Sequence, residues 1–268
     1  MAARVKTPPT PVSSSYRAHL LRPPLRFVWT ESTSTPDRTG ERQNEPIRRS
    51  YGSSDLIIHQ TDFDKRLIER YFGEHRASMV IRNAGEPSQT MAVPPLVHPA
   101  LDSFEQTWVS ASSWRPHKRL LENIRYFHQF AGERDCLVVA GSVSEDLSGI
   151  SLDRVLFAGD LDQRTLTALY RRSSHLIHLA WLDHCPNVVV DARAAGCRII
   201  CSSSGGTEEV AGADAIVVQE DEWDLSPIDL YSPPRLDFTR IRQGSHDHKN
   251  CMSDVAAQYE RALLEMAR

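Results

Sequence analysis

The sequence predicts an α/β protein with a mostly parallel β-sheet that carries helices on both faces. Short apolar runs alternate with amphipathic helical segments between residues 55 and 220, which is the pattern of repeated βαβ units. Several helical segments begin at a capping residue or a proline and end at a glycine. The chain has 268 residues, 40% hydrophobic and 25% charged, which is ordinary globular composition with ample length for a core.

The first repeating unit precedes a proline-rich stretch. An apolar run at 55–60 predicts a buried strand, and the spacing of apolar residues in 61–72 predicts a helix that stops at Gly73. Residues 78–84 predict a second strand. Three prolines within 93–102 then predict a linker or hinge.

The alternation is more regular after this stretch. Six further strands are predicted, at 107–112, 136–141, 154–159, 175–180, 198–202 and 215–220. Four further helices are predicted, at 118–132, 161–173, 186–196 and 252–266. The helices are expected to begin at caps or first-turn residues that include Thr61 or Asp62, Asp162, Pro186 and Ser253. Residues 229–250 are expected to form a loop between domains, and their His-Asp-His sequence leaves a metal site as a minor alternative.

Composition argues against several functional classes. The formal net charge of -4 disfavours a dedicated nucleic-acid binder, and no apolar run approaches the roughly 18 residues of a membrane helix. Five cysteines without a Cys-x-x-Cys pair argue against a disulfide scaffold or structural zinc and favour a reducing compartment. Residues 1–26 are basic and rich in proline and serine, which predicts a disordered tail, with targeting or contact with an anionic membrane as alternatives.

The loops that follow the strands are the places to look for chemistry, because parallel sheets bind ligands at the carboxyl ends of their strands. The loop 110–119 places Arg115, His117, Lys118 and Arg119 before a helix. Cations are unfavourable at a helix N-terminus, so a bound anion such as diphosphate would remove the conflict. A solvated basic turn is the alternative interpretation.

The loop and helix at 182–192 carry two carboxylates, Asp183 and Asp191, eight positions apart around a Pro-Asn pair. One at each end of this short unit could hold the hydroxyls of a sugar and a ribose. The alternative is one helix N-terminal charge and one exposed aspartate. Asp183, His184 and Cys185 also have metal-ligand side chains, but adjacent residues rarely converge on one ion.

A glycine pair opens the last of these loops. Gly205 and Gly206 precede Thr207 in 202–212, and glycines allow backbone amides to approach a phosphate closely. Glu208 and Glu209 follow and would repel an anion, unless Glu209 turns back to cap its own helix. A simple turn is the alternative interpretation.

Taken in order, these loops resemble the donor-binding, C-terminal domain of glycosyltransferase family 4, whose members are retaining enzymes of the GT-B fold. The resemblance spans residues 50–222 and rests on four segments: WRPHKR, FAGDLDQRTLTALYRRS, DHCPNVVVD and SSSGGTEEV. It implies a Rossmann-like donor domain. It also identifies DLIIHQTDFDKRLIERYF and SMVIRNA as the closing part of that family's N-terminal domain.

The resemblance assigns roles to individual residues. The catalytic residues it implies are Arg115 and Lys118, which neutralise the leaving diphosphate, and Asp183, which holds the donor sugar. The donor-binding residues it implies are Ser113, Asn187, Val188, Asp191, Gly205, Gly206 and Thr207, with Asp191 on the ribose hydroxyls. It implies no metal and no cofactor, because cations take the place of a metal ion.

The sequence departs from the family pattern in three ways. The acidic pair is two aspartates where the family has glutamates, which shortens each side chain by one methylene. Cys185 stands at a usual aromatic, and Asn83-Ala84 stands at a usual Asn-Gly. The N-terminal domain is incomplete, so we expect a fragment, a shortened form or a partner chain that supplies the rest.

These observations predict a hexosyltransferase that moves sugar from a nucleotide-sugar donor to a glycan or lipid-linked acceptor, with a non-catalytic nucleotide-binding module as the alternative. Activity of this chain alone is left open. We expect a cytoplasmic location, with peripheral membrane association as an option, and no nucleic-acid partner. The expected domains are a tail at 1–26, an N-terminal remnant at 27–92, a linker at 93–106, a donor domain at 107–224, and a loop and helix at 225–268 that return to the N-terminal part.

Overall fold

The computed structural model describes residues 47–226, 228–246 and 251–266. The predicted tail at 1–26 lies outside these residues. Residues 47–53 are helical. The strands that follow are β1 (Ile57–His59), β2 (Ser78–Val80), β3 (Gln106–Ala111), β4 (Asp135–Ala140), β5 (Val155–Gly159), β6 (His175–His178), β7 (Arg198–Ser202), β8 (Ile216–Val218) and β9 (Ile241–Gln243). The helices are α1 (Asp62–Phe72), α2 (Pro87–Met91), α3 (Pro99–Asp102), α4 (Leu120–Phe130), α5 (Gln163–Arg172), α6 (Asn187–Ala194), α7 (Thr207–Ala211) and α8 (Met252–Met266).

Within the described residues, seven strands form one sheet in the order β5-β4-β3-β6-β7-β8-β9. All neighbouring strands are parallel except β9, which pairs antiparallel with β8 at the edge. The predicted α/β class with a mostly parallel sheet is therefore confirmed. The edge strand β9 was not predicted, because its three residues fall within a segment that the sequence identifies as loop.

Alternation along the strands explains why both faces of the sheet are covered. In β4, Val138 packs in one core cluster, with residues of α5, α6 and α7, whereas Leu137 and Val139 pack in another, with residues of α4. Successive strand side chains point to opposite faces, so an uninterrupted apolar run needs helices on both sides. The predicted two-faced packing is present.

Residues 57–80 form a small parallel pair, β1 and β2, with α1 between them. Thr61 caps α1 by accepting a hydrogen bond from the Asp64 amide, and Gly73 follows its last turn, as the sequence predicts. A two-stranded sheet is marginal by itself. This unit packs Phe63 and Leu67 of α1 against Leu182 and Leu230 from the later part of the chain. The N-terminal piece therefore packs against loops from the later part of the chain, in a core cluster separate from those of the large sheet.

The proline-rich segment 93–102 is held against α5 by hydrogen bonds. Its residues include α3, and the Leu96 amide donates to the Ala168 carbonyl of α5 at 2.8 Å. Arg172 donates to the carbonyl oxygens of Leu96 and Leu101, at 3.3 and 3.0 Å. Proline is favourable in the first turn of a helix, which is how Pro99 is used here.

The last helix begins one residue earlier than its predicted cap. Met252 is its first residue, so Ser253 lies inside the first turn and is not the N-cap. The Asp254 carboxylate instead accepts from the Cys251 amide at 3.0 Å. Among the described residues, no helix combines the length and apolar character needed to span a membrane.

Candidate active site

The carboxyl ends of four neighbouring strands bring the predicted loops together. Because β3, β6, β7 and β8 are adjacent and parallel, the loops that follow them line one edge of the sheet. These loops contribute Lys118, Asp183, Gly205 and Glu220 in that order along the edge. The basic loop and the glycine turn therefore lie on the same side of the molecule, with the loop of Asp183 between them.

The Asp183 carboxylate is the centre of this edge. Its Oδ2 atom lies 2.5 Å from Lys118 Nζ and 2.9 Å from His178 Nε2, and its Oδ1 atom accepts from the His184 amide at 3.0 Å. Burial would raise the pKa of Asp183, but the Lys118 ammonium and the His178 hydrogen bond hold it well below its usual range. Burial lowers the pKa of His178, so its neutral ring donates the Nε2 proton. Asp183 is therefore a fixed anion.

The other charges of the basic loop are balanced inside the protein. Arg119 adopts a left-handed backbone with φ 52° and donates to both carboxylate oxygens of Glu220, at 2.8 and 2.7 Å. Burial, with the Lys118 charge nearby, lowers the pKa of His117 to about 3, so this ring is uncharged at neutral pH. In this structure the charge of Lys118 is therefore offset by Asp183, and the charge of Arg119 is offset by Glu220.

Two other predicted residues of this loop face solvent. Arg115 and Ser113 are exposed, and Arg115 precedes the short 3-10 helix Pro116–Lys118. Arg115 is therefore available to a ligand that approaches the edge.

The glycine pair packs tightly beneath the loop of Asp183. Gly205 has φ 89° and forms a parallel bridge with Asp183, and the Gly206 amide donates to the Asp183 carbonyl at 2.7 Å. A Cβ atom at Gly206 would lie 2.1 Å from the His184 carbonyl oxygen and 2.6 Å from Thr61 Oγ1. Gly206 and Thr207 are buried, so neither points a free donor into open space in this conformation.

The two glutamates of the glycine loop have structural partners. Glu209 accepts from the amides of Asp62 and Phe63, both at 2.8 Å, and pairs with Arg82. It therefore caps α1 and not its own helix, which corrects the sequence-based alternative. Glu208 forms two hydrogen bonds of 2.6 Å with Arg242 of β9.

A groove of about 670 Å³ lies beside α6. Asn187 and Asp191 line it from the first two turns of the helix, together with Gln163 of α5. Burial raises the pKa of Asp191, whose nearest described hydrogen-bond donor is Gln163 Nε2 at 3.4 Å. Asn83 Nδ2 donates to Asn187 Oδ1 at 3.0 Å, and Val255 of α8 lines the same groove.

The residues predicted around α6 thus divide between two places. Asp183 lies with Lys118, whereas Asn187 and Asp191 line the groove. The Val188 side chain is partly buried and packs against the core in the first turn of α6.

Comparison with known proteins gives this architecture a context. Residues 106–226 match the family model described as glycosyl transferases group 1. No curated protein matches the chain. Anabaena HepE, solved in complex with UDP and glucose, is similar over 69% of this chain and 55% of its own, at 16% identity and a TM-score of 0.51. This is a glycosyltransferase fold.

Other structures with this glycosyltransferase fold agree. Sucrose-phosphate synthase from Thermosynechococcus elongatus is similar over 91% of this chain and 57% of its own, at 14% identity and a TM-score of 0.53. A UDP-forming trehalose-phosphate synthase from Burkholderia xenovorans is similar over 73% and 56%, at 16% identity and a TM-score of 0.50. The chain therefore spans just over half the length of these solved structures.

Sequence reasoning missed three contributors to the site. His178 contacts Asp183 from the last position of β6, where it reads as an ordinary strand residue. Asp64 contacts His184 across 120 positions, and Glu209 contacts α1 across 146 and 147. A polar residue at a strand's carboxyl end was the one available signal, and it applies to His178 alone.

The structure also bears on the metal alternatives. Within the described ranges, which include His246 but not residues 247–250, no group of three His, Cys, Asp or Glu side chains could hold a metal ion. Partial burial of Cys185 raises the pKa of its thiol to about 12, so it is not poised to act as a thiolate.

Proposed function

We propose that this chain binds a nucleotide-sugar donor along the carboxyl edge of its sheet and transfers the hexosyl group to a glycan or lipid-linked acceptor. The observation that carries the proposal is the Lys118–Asp183 pair, which lies at that edge within the segment that matches the glycosyltransferase family. A cation for the leaving group and a carboxylate for the sugar hydroxyls are then adjacent.

The diphosphate of the donor is assigned to Arg115 and Lys118. Arg115 is exposed, and the Lys118 side chain is 18% exposed, so both can be reached from solvent. Guanidinium and ammonium groups stabilise the negative charge that develops on a leaving diphosphate, without a metal ion. Since Lys118 also contacts Asp183, we assign the donor sugar to the space next to the Asp183 carboxylate. There the sugar hydroxyls would donate hydrogen bonds to the carboxylate, and the sugar would separate the carboxylate from the phosphates.

The ribose is assigned to Asp191. Its carboxylate is partly desolvated and, among the residues that the structure describes, has one long hydrogen bond, to Gln163. Two ribose hydroxyls could satisfy the unused acceptor positions of such a group. Asn187 lies one turn earlier in the same groove, with free amides of the α6 N-terminus nearby, and would orient the donor between Asp183 and Asp191.

Transfer would proceed with retention at the sugar carbon. The acceptor oxygen forms its bond on the face from which the diphosphate departs, the bond between sugar carbon and phosphate oxygen breaks, and a phosphate oxygen takes the acceptor proton. Arg115 and Lys118 stabilise the developing charge throughout. Of the predicted donor ligands, Gly205 and Gly206 then serve chiefly to support the loop of Asp183.

The alternative function is a nucleotide-binding module without turnover. It is favoured by one observation, that Lys118 already has a carboxylate partner. A partner chain that supplies the acceptor side belongs to either proposal, as does a cytoplasmic or membrane-peripheral location.

Calorimetry with UDP, GDP and ADP tests the donor site. We expect one of these to bind without added metal, and Lys118→Ala to weaken its binding by about 10-fold or more, since a hydrogen bond between charged groups is lost. Asp191→Ala should weaken the binding of nucleoside diphosphates but not the binding of inorganic diphosphate. Lys65→Ala is the matched control, because Lys65 pairs with Glu69 within α1 rather than with Asp183.

An unchanged titration for Lys118→Ala would contradict the diphosphate assignment. Release of free nucleoside diphosphate from the nucleotide sugar only when acceptor is added would support the transferase. Binding without such release would favour the binding module.

A further inference from the structure

A buried polar cluster joins the start of α1 to the loop of the proposed sugar-binding carboxylate. Asp64 lies in the first turn of α1, far in sequence from every loop discussed above, and is 6% exposed. We propose that Asp64 is a positioning residue, which holds the Asp183 carboxylate in place by fixing His184. This inference rests on the proposed function, in which Asp183 contacts the donor sugar.

The His184 side chain is held by Asp64. Its Nδ1 atom lies 2.8 Å from Asp64 Oδ1, and Phe63 packs edge-on against its ring at 5.4 Å between centroids. His59 of β1 approaches the other Asp64 oxygen, with Nδ1 3.4 Å from Oδ2. All of these side chains are buried, so the hydrogen bond between His184 and Asp64 is protected from competition with water.

The His184 backbone is held by the same end of α1. Thr61 Oγ1 donates to the His184 carbonyl at 3.0 Å and accepts from the Asp64 amide at 3.0 Å. Side chain and carbonyl of His184 are therefore both fixed by the cap and first turn of one helix. A shift of Asp64 would move this residue as a unit.

His184 passes this constraint to Asp183. Its amide donates to Asp183 Oδ1 at 3.0 Å, while Lys118 and His178 bind Oδ2. The amide fixes the rotation of the carboxylate, and that rotation decides which oxygen faces Lys118. Positional errors near a reacting group reduce activity strongly, so the support of a carboxylate matters as much as its presence.

A readout without nucleotide tests the positioning directly. In the NMR spectrum of protein labelled with ¹⁵N-histidine, the resonance of the His178 Nε2 proton reports on the hydrogen bond between His178 and Asp183. Asp64 takes no part in this hydrogen bond. We expect Asp64→Ala to shift this resonance and to weaken UDP binding by about 10-fold. Asp64→Asn keeps an acceptor oxygen for His184 and should have a smaller effect on both. Asp55→Asn is the control, since Asp55 is exposed and pairs with Arg76.

The outcomes separate this inference from the proposed function. An unchanged His178 resonance in a folded Asp64→Ala protein would overturn the positioning role. If Asp64→Ala does not fold, an unchanged resonance in Asp64→Asn has the same meaning. A shifted resonance in a protein that binds no UDP, GDP or ADP even as wild type would retain the positioning of Asp183 and reject the donor site.

Discussion

Gly206 occupies a position at which a side chain would not fit. Its backbone has φ -98°, which any residue adopts, so no conformational strain explains the glycine. The reason is contact: the glycine turn passes directly under the His184 carbonyl and the Thr61 hydroxyl. Small size here lets α1, the Asp183 loop and α7 meet at one point.

We therefore predict that Gly206→Ala lowers the free energy of unfolding by about 2–4 kcal/mol, because a methyl group overlaps a backbone oxygen that cannot rotate away. Urea unfolding measures this. Gly149→Ala is the matched control, since a Cβ there meets nothing within 4 Å. Equal stability of the two variants would contradict the packing described for the glycine turn.

The juxtaposition of Lys118 and Asp183 could be predicted from sequence, because both follow strands and parallel strands present their carboxyl ends together. The partners of individual charges could not. Arg119 stands next to Lys118 and carries the same charge, yet it is buried against Glu220. A left-handed backbone at Arg119 turns it inward, and no residue pattern indicates that.

At the scale of elements, the sequence predicted the features that depend on residues close together in the chain. The Asp162 cap of α5 and the Thr61 cap of α1 depend on residues within one turn. The helix α3 and the strand β9 were missed because each is short. For α3 there is a second reason, since proline favours both a linker and the first turn of a helix. Capping of α1 by Glu209 depends on a residue 146 positions away.

This long-range cap predicts a specific loss. Glu209→Ala leaves the Asp62 and Phe63 amides without their acceptor and Arg82 without a buried partner, and should lower the free energy of unfolding by about 2–4 kcal/mol. Hydrogen exchange of the two amides should accelerate, because their protection depends on the Glu209 carboxylate.

Glu208→Ala is the control for this prediction. Glu208 is on the same short helix and is buried to the same extent, but it binds Arg242. It should leave the exchange of the α1 amides unchanged. Equal acceleration in both variants would mean that α1 is destabilised through α7 as a whole rather than through the Glu209 cap.

At the scale of the whole molecule, the α/β class and the two-faced sheet followed from alternation and length. The union of the N-terminal piece with the large sheet did not. It depends on Phe63 and Leu67 packing against Leu182 and Leu230, and on the buried pair of Asp64 and His184. Apolar side chains in α1 indicate a buried face, but only the folded chain shows that this face packs against the later loops.

We expect the protein to lose stability in acid, because the buried Asp64 is ionised in the folded state. Burial would raise the pKa of Asp64, but contacts with His184 and His59 lower it from 3.8 to about 2. A group with a lowered pKa contributes its stability above its unfolded pKa, and the contribution disappears as the pH falls through the folded value. At 1.36 kcal/mol per pKa unit, Asp64 contributes about 2 kcal/mol at neutral pH.

We expect Asp64→Asn to unfold in a single transition, with a lower free energy of unfolding than wild type at pH 7. The difference between the two should shrink from about pH 5 to about pH 2, because wild-type Asp64 becomes protonated over this window while asparagine does not titrate. Urea unfolding across this range measures it, with exposed Asp55→Asn as the control. Parallel curves for wild type and Asp64→Asn would show that Asp64 is not held as an anion, and the buried link between α1 and the Asp183 loop would then need a different physical basis.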